Sequence, residues 1–127
     1  MTEQRFQKIM HKAIDPARSL PTVNLQKFIN VDDITYRYPA ILGDGTSLSI
    51  QAGLGMRCAK KSTNSTEYGL WEVGVFDDVP AQFIQYAEAE PTILKVGKLV
   101  LCNYVPTKVI LEVINERGGT LELEISE

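Results

Sequence analysis

Histidine is nearly missing from this chain, cysteine is scarce, and no apolar run is long. His11 is the single histidine, and Cys58 and Cys102 are the two cysteines. Two thiols and one imidazole, far apart in sequence, cannot complete a four-ligand zinc site without carboxylates. A disulfide is unexpected in a reducing cytosol, so both cysteines read as packed thiols. No apolar stretch nears the roughly 18 residues a membrane span needs. The opening residues, MTEQRFQKIM, lack the charged-then-apolar order of a signal peptide. A cytoplasmic location, with no membrane partner, is the expectation. Positive charge is short as well: 13 Lys and Arg stand against 16 Asp and Glu, a net charge of −3. That balance argues against a DNA binder, whose affinity rests on phosphate contacts, yet allows a local basic pocket.

What is present suits one ordinary core. A chain of 127 residues fits a single domain. Residues 3–14 predict a helix: Thr2 is a ready N-cap, and Phe6, Ile9, Met10, Ala13 and Ile14 recur at helical spacing. Asp15-Pro16 ends it, and Pro16 to Pro21 reads as a connector. Residues 1–20 are therefore expected to form an amphipathic helix and linker ahead of a domain at 21–127. The helix would either dock on another subunit or cover its own sheet.

Asn24 can cap a short helix bearing Leu25, Phe28 and Ile29. Ile34, Tyr36 and Tyr38 then alternate with Thr35 and Arg37, a strand period. Gly43-Asp44-Gly45-Thr46 is turn chemistry, and Leu48, Ile50 and Ala52 alternate with Ser47, Ser49 and Gln51, completing a hairpin. Residues 53–66 are loop-like. In residues 67–76, Trp71, Val73 and Val75 share one face, and Tyr68, Leu70 and Phe76 share the other. A strand apolar on both faces is expected to be central. Pro80 opens a short helix with Phe83, Ile84 and Ala87 as its stripe. Residues 92–105 read as one long or broken strand, bent at Gly97. Thr107 caps the clearest helix, about 107–117, which Gly118-Gly119 stops. Leu121, Leu123 and Ile125 close the chain as a half-buried strand. The fold class is α+β: a mostly antiparallel sheet with three to four short helices packed on it.

Chemistry is harder to find. Gly53-x-Gly55-x-x-Cys58 fails as a dinucleotide fingerprint, because no helix pattern follows it. Asp32-Asp33 and Asp77-Asp78 sit where elements begin, and sequence neighbours point apart, so capping explains them. No nucleophile elbow exists, and His11 has no nucleophile nearby in sequence. An enzyme is not expected, and no cofactor is called for. Arg57, Lys60 and Lys61 form the tightest basic group, close in sequence to Tyr68 and Trp71. Cations grip phosphate and aromatic faces stack on bases, so this group is a candidate ligand site. Asn103 and Tyr104, between the long strand and the best helix, are further candidates for lining a pocket.

Several segments together resemble a widespread family of small phage and prophage proteins. They are NLQKFIN followed by TYRYPAI, DGTSLSIQA, Cys58-Ala-Lys-Lys, WEVGVF, the YAE after it, and NYVPTKVILEVINERGG. They span residues 24–119. The chain departs from the family at Gly-Leu-Gly-Met-Arg before Cys58, at Ala59-Lys60 and at Asp77-Asp78. The family is similar in size and make-up to the anti-Thoeris sponges. That resemblance implies a phage anti-defence protein, acting in the host cytoplasm. It would bind a cyclic nucleotide or cyclic ADP-ribose signal without cleaving it, as a homo-oligomer closing over its ligand. Arg57, Lys60 and Lys61 would hold phosphates, Tyr68, Trp71 or Tyr104 would stack on a base, and Asn103 would read its edge. The alternative is a phage inhibitor that binds a host protein.

Overall fold

The structure is a computed structural model that describes residues 1–19, 35–94 and 97–125. The short helix expected at Asn24–Ile29 and the first residue of the next strand, Ile34, lie outside those residues. The described residues form an α+β domain. A seven-stranded sheet runs β5-β6-β4-β2-β1-β7, with β3 paired on β4, and every pairing is antiparallel. The strands are β1 (Ala40–Leu42), β2 (Ser47–Gln51), β3 (Ala59–Lys60), β4 (Tyr68–Phe76), β5 (Thr92–Leu94), β6 (Gly97–Pro106) and β7 (Leu121–Leu123). Three helical segments are described: α1 (Glu3–Lys12), a 3-10 helix (Ala81–Tyr86) and α2 (Thr107–Glu116).

Helix α1 starts where its cap dictates: Thr2 Oγ1 accepts from the Arg5 amide at 3.2 Å. Its apolar stripe is not left for another subunit. Phe6, Met10 and Ala13 are buried in the same core as Trp71, Val73, Val75 and Ile110. The helix thus covers its own sheet and completes the core of the domain it precedes. After it the chain turns at Asp15. The Asp15 amide donates to the Tyr36 carbonyl and the Tyr38 amide to the Ala13 carbonyl, both at 2.8 Å. This short antiparallel bridge joins Ile14 to Arg37 and pulls Arg37 beneath α1.

The strand period around Arg37 holds, but its faces are the reverse of the usual ones. Thr35 and Arg37 are buried, while Tyr36 is exposed. A side chain maintains the ladder here. The Gln51 amide accepts from the Arg37 N–H at 2.7 Å and donates to the Arg37 carbonyl at 2.9 Å, standing in for a strand backbone.

The DGT turn forms as expected, with Asp44 Oδ1 accepting from the Thr46 amide at 2.9 Å. Only three residues, Ala40–Leu42, form the strand before it. The turn packs backbone to backbone against the Gly118-Gly119 stop of α2. A Cβ on Gly118 would lie 2.7 Å from the Gly43 Cα. Arg117 ties the two together through Thr46 Oγ1 at 2.9 Å.

Central strand β4 carries two irregularities that the alternation did not show. Lys60 pairs with Tyr68 and Ala59 with Leu70, so Gly69 is an extra residue on β4. That bulge turns Tyr68 onto the Trp71 face, against the expectation that the two would lie on opposite faces. On the other side, Trp71 pairs with Val105 and Val73 with Cys102, leaving one extra residue on β6 beside Tyr104. Tyr104 there adopts φ +54°, in the left-handed region.

Three further expectations are corrected. The expected long or broken strand is broken, into Thr92–Leu94 and Gly97–Pro106. The two pair antiparallel with Leu94 opposite Gly97, so the chain reverses where a bend was expected. The helix after Pro80 is 3-10, so residues three apart share a face; Phe83 and Tyr86 turn inward and Ile84 stays exposed. Thr107 does not cap α2. It is the first helical residue, and its hydroxyl is drawn inward by the Trp71 indole N–H at 3.0 Å.

Candidate functional site

The seven residues expected to form a site do not converge. Arg57 and Tyr104 meet through backbone, the Tyr104 amide donating to the Arg57 carbonyl at 3.1 Å. The Arg57 amide in turn donates to Glu72 Oε2 at 3.0 Å, and Glu72 alternates with the core-facing Trp71 and Val73. Asn103 lies at the same bulge, its Nδ2 donating to Glu88 Oε1 at 3.0 Å. Lys61 bridges Glu3 at 2.5 Å and Glu67 at 3.2 Å, and those contacts, Glu3 first, raise its pKa. Lys60 lies in β3. Tyr68 and Trp71 are on the core face with 8% and 1% exposure. Neither ring has a face open for stacking on a base, which corrects the role expected of them.

What the structure does bring together is a pocket of about 330 Å³ between α1 and β4, and Tyr68 and Trp71 form part of it. Its walls include Gln7, Lys8, His11 and Lys12 from α1, Thr66 and Glu67 from the loop before β4, and Arg37. The volume is at the small end of ligand sites, which span roughly 300–1,000 Å³.

Arg37 is the central group. It is 6% exposed. Nε donates to the Met10 carbonyl at 3.0 Å and Nη1 to the Ala52 carbonyl at 2.6 Å. The guanidinium carbon lies 5.3 Å from the Trp71 ring centroid and 5.8 Å from that of Tyr68. Ring faces carry negative potential, so both attract the cation. Burial pulls the Arg37 pKa down, opposed by the nearby Tyr68 and Cys58 side chains, but an arginine in a protein stays charged. Among the described residues no carboxylate pairs with it, and no acceptor meets Nη2.

The sequence masked this group because a charged residue within a strand is expected to face water. The one available signal was the position of Arg37 between two tyrosines. Lys8, His11 and Lys12 did carry a readable pattern: spaced three and four apart, they are neighbours on one side of α1.

The remaining candidates add nothing to this pocket's lining, although the Cys58 thiol lies near Arg37. No disulfide joins Cys58 and Cys102, and Cys102 is fully buried. The glycines at 53 and 55 lead into a loop and β3, with no helix to receive a phosphate. Among the described residues, no helix is long and apolar enough to cross a membrane. Comparison with protein-family models, with curated proteins and with solved structures gives no match.

Proposed function

We propose that this protein binds and holds, without cleaving it, a small phosphorylated signal of the cyclic nucleotide or cyclic ADP-ribose type. In this reading it is a phage anti-defence protein that withdraws the signal from a host receptor. The observation that carries the binding reading is Arg37. Burying a cation without an anion costs several kcal/mol. Here the buried guanidinium opens on a cavity whose α1 wall adds Lys8, His11 and Lys12. On a chain of net charge −3, the gathering of Arg37, Lys8 and Lys12 runs against the overall balance. A phosphate would satisfy Nη2 and the lysines together, by charge-assisted hydrogen bonds. The phage setting rests on the sequence resemblance alone.

Thermal melting with cyclic dinucleotides, cyclic ADP-ribose isomers and inorganic phosphate tests this. A ligand at a hundred times its dissociation constant adds about 2.7 kcal/mol. The Lys8→Glu/Lys12→Glu variant, changed only at exposed positions, should melt like the parent and lose the ligand shift. Chromatography of the released ligand should return it unaltered. No shift with any of these compounds would sink the proposal. Light scattering with and without ligand tests the expected homo-oligomer.

A second reading, inhibition of a host protein by direct binding, is favoured by β5. This strand ends the sheet and exposes Ile93 to 70%. Among the described residues no strand pairs with its outer edge, and such an edge with an apolar side chain suits the addition of a partner strand. Loss of host-protein capture in Ile93→Lys, with ligand binding intact, would support it.

A further inference from the structure

We infer that the pocket reads the phosphate and sugar end of its ligand and leaves the base unread. This rests on the anion-binding reading above and narrows it. The aromatic pair is already engaged. Arg37 lies over both rings, Phe6 stands edge-on to Trp71 at 5.4 Å, and Tyr68 tilts against it at 5.6 Å. The indole N–H is bonded to Thr107. With 1% of Trp71 and 8% of Tyr68 exposed, almost no ring surface remains for a base to stack on.

The rings instead fix the cation. They hold the guanidinium plane while the Met10 and Ala52 carbonyls take Nε and Nη1. Among the described residues, no acceptor takes Nη2. The α1 wall then offers Lys8 and Lys12 one turn apart with His11 beside them; among the described lining residues the one carboxylate is Glu67, which is engaged by Lys61. Gln7, the other polar group of that wall, already donates to the Tyr68 carbonyl at 2.8 Å. Such a set ranks ligands by phosphate charge and not by base identity.

The test is calorimetric titration of the full chain with AMP, GMP, ribose 5-phosphate and adenosine. The three phosphorylated probes should bind within about threefold of one another, and adenosine should not bind. A stacked base adds roughly five- to 150-fold in affinity. AMP binding more than tenfold tighter than ribose 5-phosphate, or any binding of adenosine, would overturn the inference. The Lys8→Glu/Lys12→Glu variant separates the two readings. Base-selective binding that this variant abolishes overturns the present inference and keeps the anion site. No binding by any phosphorylated probe removes both.

Discussion

Replacing Phe6 by alanine tests whether α1 belongs to the core and walls the pocket. Phe6 is wholly buried and meets Trp71 edge-on, ring planes 78° apart. Truncating such a ring removes its transfer energy and leaves a cavity, at a cost of about 3–5 kcal/mol. The aromatic pair accounts for about 0.5–1.5 kcal/mol of its own. A loss near 4 kcal/mol is therefore expected. In a chain of this size each kcal/mol moves Tm by about 3–6 °C, so Tm should fall by about 12–24 °C. Phe6→Leu keeps most of the volume and should cost about 1.5 kcal/mol. Urea unfolding followed by Trp71 fluorescence reports on the contact itself, because Trp71 is the only tryptophan. A loss under about 1 kcal/mol in Phe6→Ala, with an unchanged denaturant slope, would refute the packing argument and remove one wall of the site.

Other outcomes follow from single contacts. Gly118 has φ +105° and a Cβ there would strike the Gly43 backbone, whereas Gly119 has open space. Gly118→Ala should cost more than about 2 kcal/mol and clearly more than Gly119→Ala; equal losses in urea melts would count against the backbone contact. Burial, with a smaller contribution from Glu88, pushes the Cys102 thiol up to about 11 from 9.0. The unfolded thiol ionises first, so this contribution to stability is intact below pH 9 and lost as pH rises toward 11. Cys102→Ala should flatten that part of a pH series of urea melts, and an unchanged slope would discount the effect. Tyr104 holds φ +54° at the β6 bulge, a conformation costing about 1–2 kcal/mol for a residue with a Cβ. Tyr104→Gly should therefore leave Tm unchanged or raise it slightly, and a clear fall would show that the ring itself stabilises the bulge.

The sequence by itself determined the parts that depend on local chemistry. Thr2 capped α1, Asp44 and its glycines made the turn, and Gly118-Gly119 stopped α2, because each acts within a few residues. The period-two pattern of Trp71, Val73 and Val75 likewise fixed the buried face of β4. Tertiary structure decided what depends on two distant segments meeting. A bulge at Gly69, set by pairing with β3, turned Tyr68 onto the Trp71 face. The Trp71 indole, not the helix end, claimed the Thr107 hydroxyl. Gly97 became the start of a strand folding back on β5 instead of a bend.

The centre of the candidate site, Arg37, belongs to this second kind, whereas its α1 wall was local. A strand pattern places a charged residue outside, as water solvates it best there. Arg37 is inside because α1, Ala52 and two rings from β4 converge to hold its guanidinium. Those groups are distributed from residue 10 to residue 71, and no local pattern connects them. The scarcity of histidine and of positive charge limited the chemistry from the outset. Folding gathered the single histidine, two lysines and one arginine around one cavity.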